Sequence, residues 1–191
     1  MAQHSRSTPP RAFEELVSEH IDSLYRTALR LVGGRSADAE DLLQDTVLRG
    51  FEHFSQLRHQ DAGRSWLFAI LVRTNLNRVR TANRRAEQFG ADLSDRAFEE
   101  ALAAWRSNIT PEEFLDRKES AEGLIKLLDG LHPELRAAVV LTDVEGFSQR
   151  EAARMLEIPE GTLASRIFRA RRELRQALNE NSSGLRARER T

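Results

Sequence analysis

Between Ser148 and Leu174 the chain reads SQREAARMLEIPEGTLASRIFRARREL, a stretch that leaves little freedom of fold. Ser148 followed three residues later by Glu151 is a capping-box pairing, in which each residue satisfies a backbone N–H left free at a helix start. Ala152, Ala153, Leu156 and Ile158 then supply the small and apolar surface over which another helix can cross closely. Glu157 to Gly161 allows only a short turn, and Thr162 opens a second helix. In that helix Leu163, Ile167, Ala170 and Leu174 recur at helical spacing and define a buried stripe.

Ser165, Arg166, Arg169, Arg172 and Arg175 fall outside the stripe. A helix entering the major groove needs this division: apolar residues hold it on its domain while hydroxyl and guanidinium groups reach base edges and phosphates. The competing reading is an arginine-rich helix solvated on the face of a bundle. Helix, turn and second helix in this order favour DNA.

The rest of the chain follows the same helical pattern. Leu16, Val17, Ile21, Leu24, Ala28, Leu29 and Val32 predict a first helix from Phe13, which Gly33-Gly34 stops. Ser36 is the expected N-cap of a second helix, with Asp38, Glu40 and Asp41 favourably placed in its first turn and Leu43, Val47, Phe51 and Phe54 continuing it. Leu57 to Arg64 reads as a loop, and SWLFAILVRTNLNRVRTANRR, Ser65 to about Arg85, as a third helix. Later, Leu124, Leu127, Leu128 and Leu131 form a stripe, and Pro133 begins a further helix through Leu135, Ala138, Val139 and Thr142. Strand alternation and internal repeats are absent, so the expected class is all-α.

Charge matters here by its distribution. The 191 residues carry 29 basic and 30 acidic side chains, a net of −1, yet Ser65 to Arg85 holds five arginines and no acid. Glu160 to Arg175 holds five arginines against two glutamates, a net of +3. Between them, residues 86–116 carry eight acids against two arginines, a net of −6, with Gly90, Asn108 and Pro111 breaking periodicity. This segment is a linker in which FEEALAAW, Phe98 to Trp105, has the pattern of a short helix. Two basic helices therefore flank an acidic tether. With no cysteine, disulfides and Cys-based zinc or redox motifs are excluded. The polar start MAQHSRSTPPR lacks a signal-peptide apolar region, and no apolar run approaches the roughly 20 residues of a membrane span, so a cytoplasmic protein without membrane insertion is expected.

Taken together, the two ends resemble the extracytoplasmic-function sigma factors of the sigma-70 superfamily. SADAEDLLQDTVLRGFEHF, Ser36 to Phe54, is similar to the family's polymerase-gripping region, and the Trp66 helix to its DNA-melting, minus-ten-reading helix. Leu128 to Leu174 resembles the minus-thirty-five-reading domain almost without a gap. The resemblance spans about Phe13 to Leu178, apart from details of the linker. The organisation it implies is a disordered N-terminus (1–11), a region 2 domain (12–86), a flexible acidic linker (87–116), a region 4 helix-turn-helix domain (117–179) and a disordered tail (180–191).

The resemblance implies core RNA polymerase, promoter DNA and an anti-sigma factor as partners, with no catalytic role, metal or cofactor. It places Asp38, Asp41, Gln44 and Asp45 against the polymerase; dipole complementarity accounts for part of Asp38 and Glu40. Trp66, Arg73, Asn77, Arg78, Arg80, Arg84 and Arg85 become the minus-ten candidates, since aromatic and cationic groups suit an opened strand. For Trp66 itself a core role competes. In the second domain Ser165, Arg166 and Arg169 are the expected DNA contacts, Thr162 and Arg171 lie at phosphate, and Phe168 is expected to pack. Arg73, Ala69 and Ala164 depart from residues frequent in the family; an alanine at 164 offers at most a thymine-methyl contact. The linker either follows the RNA exit path or simply tethers two modules. The alternatives are a stand-alone helix-turn-helix regulator and an enzyme holding a metal on Asp38, Asp41 and Asp45.

Overall fold

Helical periodicity becomes seven α-helices among the described residues of the computed structural model, which are 11–57, 62–88 and 121–188; no strand occurs among them. The first three are α1 (Arg11–Leu31), α2 (Ser36–His53) and α3 (Gly63–Gln88). Phe13, Val17, Leu24, Ala28 and Leu31 of α1 are buried against α2 and α3, the side on which an apolar stripe removes most surface from water. Ser36 is the first helical residue of α2, and the capping position belongs to Arg35, whose side chain pairs with Asp38 instead of capping. The helix ends at His53, and the expected continuation through Phe54 is a 3-10 turn, Phe54–Gln56. Phe54 stacks edge-on against Phe13 at 5.2 Å. The segments 1–10, 58–61 and 89–120, with the candidate linker helix, lie outside the described residues.

The second half contributes α4 (Ala121–Asp129), α5 (Pro133–Val139), α6 (Gln149–Leu156) and α7 (Glu160–Arg188). Pro133 occupies the first turn of α5 as expected, where its missing N–H is no loss. Thr142 was expected on that same helix, but Val140–Val144 forms a π-helical turn that redirects the chain towards Gly146. The Ser148–Glu151 capping box is present in both directions. Glu157 closes α6 in the left-handed region, at φ 54°. Leu163, Ile167 and Ala170 are buried as the stripe required. Helix α7 then runs on to Arg188, through most of the segment expected to fray.

Helix α3 is the centre of the molecule. It packs on α1 and α2 from its own half and on α5 and α6 from the other. Leu67, Phe68, Leu71 and Val72 are fully buried, and Phe68 meets Phe147 of the second half edge-on at 5.2 Å. One apolar core therefore runs from Leu24 in α1 to Ala170 in α7.

The Gly33-Gly34 turn is a second joint between the halves. Both glycines have positive φ, 69° and 82°, and a Cβ on Gly33 would lie 2.2 Å from Asp129 Oδ1 at the end of α4. Buried Arg136 of α5 closes the same joint by donating to the carbonyls of Leu31 at 2.8 Å, Asp129 at 2.6 Å and Leu131 at 3.2 Å. Burial lowers its guanidinium pKa from the ordinary value, and the Asp129 carboxylate at 2.9 Å opposes that shift.

Candidate nucleic-acid and polymerase interface

The exposed side of α2 carries Asp38, Asp41 and Gln44, with Asp45 half-buried beside them. Asp45 accepts from Arg78 of α3 at 2.7 Å, and the same guanidinium donates to the Asp41 carbonyl at 3.0 Å. A residue expected at the minus-ten strand is thus tied to one expected at the polymerase. Leu48, four residues after Gln44, is 62% exposed and adds an apolar element to this acidic face. Arg35 beside Asp38 and Arg78 beside Asp45 also disfavour a divalent cation among these carboxylates, because each would repel it.

Along α3 the candidate DNA residues divide. Trp66 is half-buried, packs on the core and lies 6.3 Å from the Phe54 ring. Asn77 and Arg78 line a groove of about 290 Å³ with Arg49, Thr74, Thr81 and Ala82. Arg84 is exposed, while the side chain of Arg85 lies outside the described residues. Arg73 faces the other half of the molecule. Its guanidinium donates to the Met155 and Arg154 carbonyls at 2.6 and 3.1 Å and pairs with Glu157 at 2.8 Å. These carbonyls end α6, where unpaired C=O groups and the negative dipole end attract a cation.

On α7, Thr162, Ser165 and Arg169 are exposed and line a 510 Å³ groove with Arg166, His132, Glu134, Leu135 and Glu173. Arg166 is held at its floor by Glu134, at 2.5 Å. The other oxygen of Glu134 accepts from Arg80 of α3 at 2.8 Å. The Arg80 hydrogen bond and the nearby Arg166 charge lower the Glu134 pKa, overcoming the opposite effect of burial. Arg171 makes a two-point pair with Asp143 of the π-helical turn, at 2.9 and 2.8 Å. That pair lowers the carboxyl pKa and raises the guanidinium pKa. Phe168 does not pack: it is 69% exposed, because Leu163, Ile167 and Ala170 already fill the buried stripe.

Two family models match the halves that carry these surfaces: sigma-70 region 2 over residues 16–85 and sigma-70 region 4 over residues 121–174. The ECF RNA polymerase sigma factor SigM of Mycobacterium tuberculosis is 34% identical over 174 residues, 91% of this chain and 81% of its own length. The chain belongs to the ECF RNA polymerase sigma factors. SigE of Mycolicibacterium smegmatis is 36% identical over 173 residues, and there the chain spans only 63% of the relative's length. Among solved structures, the sigma factor RpoE from Bartonella quintana, in complex with the anti-sigma factor NepR, shares the fold with a TM-score of 0.66 at 24% identity, over 89% of this chain and 98% of that one. CnrH in complex with the cytosolic domain of CnrY aligns with a TM-score of 0.58 at 26% identity, over 88% of each chain.

For this ECF sigma factor the residues read from sequence fall into two sets. Arg78 with Asp45, and Arg80 with Arg166 through Glu134, are brought together. Thr162, Ser165 and Arg169 share one exposed groove with Arg166, while Asp38 is exposed on α2. Leu48, Phe168, Glu134 and Glu145 were not among the candidate contacts. For Leu48 a signal existed, since it follows Asp41 by two helical turns. For the two glutamates none did, because their partners are distant in sequence.

Proposed function

We propose that the protein is an alternative sigma factor that binds core RNA polymerase, recognises minus-thirty-five and minus-ten promoter elements and helps to open DNA. It works by binding, without catalytic chemistry of its own, in the cytoplasm where polymerase and promoter meet. Asp38, Asp41, Gln44 and Asp45 form the polymerase-docking face, and exposed Leu48, one turn beyond Gln44, offers apolar area at its edge for burial on docking. Asn77, Arg78, Arg80 and Arg84, with Arg73, Arg85 and Trp66, serve the opened minus-ten strand. Ser165, Arg166 and Arg169 read the minus-thirty-five duplex, with Thr162 and Arg171 at phosphate and Phe168 against a thymine methyl. An anti-sigma factor is a further partner, supported by the two solved relatives bound to other proteins.

The observation that carries this reading is the exposed acidic face of α2 with Leu48 at 62% exposure. A stand-alone helix-turn-helix regulator would have no use for it. In vitro transcription with core polymerase on a pool of bacterial genomic fragments tests the assignment. Defined start sites should appear only when the protein is present and should weaken strongly with Asp41→Ala plus Leu48→Ala. A gel shift giving promoter binding of equal strength with and without polymerase would instead favour the stand-alone regulator.

A further inference from the structure

Helix α2 presents carboxylates along one side, but near its end it also contributes a guanidinium to the groove beside α3. Arg49 follows Asp45 by one helical turn, so the two share a face of α2. Arg49 is exposed and makes no hydrogen bond or ion pair with a described residue. Opposite it, Thr74, Asn77, Arg78 and Thr81 fall at i, i+3, i+4 and i+7 of α3 and line the same groove of about 290 Å³. Thr74 is buried at its floor, whereas Asn77 and Thr81 are exposed. No carboxylate is among the lining residues. The Asp45 carboxylate is taken up by Arg78 Nη2 at 2.7 Å, and the Asp41 carbonyl accepts from the same nitrogen at 3.0 Å. Nη1 and Nε of Arg78 therefore keep their protons for a ligand.

From this arrangement we infer that the groove holds one backbone phosphate of the opened DNA strand, with Arg49 as its charged anchor. The inference rests on the sigma-factor reading for the identity of the strand. Two guanidiniums, two hydroxyls and an amide converge as donors, and an anion rich in acceptors satisfies them. Because Asp45 offsets the charge of Arg78, the net positive charge of the groove comes from Arg49. That balance suits a phosphodiester, which carries one negative charge, better than a free polyphosphate, which carries several. No aromatic ring lines the groove, so a base has nothing to stack on and the backbone is what it takes. Arg78, fixed by Asp45, orients the phosphate, while Arg49 attracts it. A contact of this kind sets the position of the strand without reading its sequence. Helix α2 then serves both partners, its carboxylates facing polymerase and Arg49 facing DNA.

The test uses the full chain bound to core polymerase, with a promoter fragment recovered by transcription and mismatched bases holding its minus-ten stretch open. Affinity is measured across a salt series for the parent, Arg49→Ala, Arg49→Lys and Arg26→Ala, the last an exposed arginine of α1 outside the groove. Arg49→Ala should weaken binding about fivefold and lower the salt slope by about 0.7, the share of one phosphate on a single strand. Arg49→Lys should keep the slope, since the charge survives, and lose part of the affinity with the planar fork. Arg26→Ala should match the parent, which separates a local contact from a change in net charge. Changing one minus-ten base should cost the parent and Arg49→Ala the same factor. The melting temperature of Arg49→Ala should equal that of the parent, because an exposed side chain without a partner is removed.

An unchanged salt slope in Arg49→Ala would overturn the phosphate site. If that variant instead binds core polymerase more weakly, with the DNA slope unaltered, Arg49 belongs to the polymerase contact and the inference falls. Binding of inorganic pyrophosphate that depends on Arg49, with no effect on the opened strand, would make the groove a polyphosphate site and also remove it. Transcription with core polymerase separates the two levels. Start sites from the parent, with Arg49→Ala indistinguishable from it, leave the sigma-factor reading intact and remove the phosphate site. No start sites from the parent remove the reading and the inference together.

Discussion

At Gly33 the backbone lies at φ 69°, and the space a Cβ would need is filled by the Asp129 carboxylate. The Asp129 carboxylate pairs with Arg136 at 2.9 Å, so giving way to a Cβ would loosen that ion pair. Gly33→Ala should therefore cost about 1–3 kcal/mol, from the left-handed conformation and the displaced carboxylate together. Urea unfolding measures this, with Gly161→Ala as control, because a Cβ there meets nothing within 4 Å. Equal stability of the two variants would remove the joint assigned to Gly33. Phe168 presents the opposite situation. At 69% exposure its truncation deletes no core contact, so Phe168→Ala should leave the melting temperature within error. If its ring meets a thymine methyl, the same variant should lower promoter occupancy by polymerase several-fold, with the loss confined to one minus-thirty-five position. A large drop in melting temperature would place Phe168 in the core after all.

For the helices, legibility followed locality. The Ser148–Glu151 capping box, Pro133 at the start of α5 and the stripe of Leu163, Ile167 and Ala170 depend on neighbours within a few residues, and pattern alone located them. Phe168 was misassigned because it is apolar, although the stripe on its helix was already complete. Ser36 looked like a cap, but with Arg35 extended just before it the chain enters α2 one residue earlier. The π-helical turn at Val140–Val144 left no trace in periodicity. Pairings across the molecule were out of reach for a different reason: α3 carries six arginines, and nothing local decides which meets Glu134, Asp45 or the end of α6. Helix α6 gives the element-scale prediction. Its eight residues are too few to hold a helix alone, so the cap matters. Ser148→Ala removes the hydroxyl that accepts from the Glu151 N–H at 3.2 Å and should cost about 1 kcal/mol. Amide hydrogen exchange should quicken first in α6; uniform quickening through the chain would argue against a local cap effect.

Across the whole molecule the acid response is determined by carboxylates whose pKa folding lowers. Hydrogen bonding to Arg80 lowers that of Glu134 below its ordinary 4.5, and hydrogen bonding to Arg171 lowers that of Asp143 below 3.8. A carboxyl with a depressed folded pKa binds its proton more readily in the unfolded chain. Its stabilisation is therefore complete above the unfolded value and is lost as pH falls through the folded one. Stability should stay flat from neutrality to about pH 5 and decline below about 4.5, where protonation begins to oppose the Glu134 and Asp143 pairs. Since Glu134 of the second half pairs with Arg80 of the first, its protonation also weakens one contact between the halves. Urea unfolding at successive pH values should show a shallower acid decline for Glu134→Gln than for the parent, because glutamine has no proton to gain. Parallel acid limbs in parent and variant would mean that this carboxylate carries no linkage between protonation and the union of the two halves.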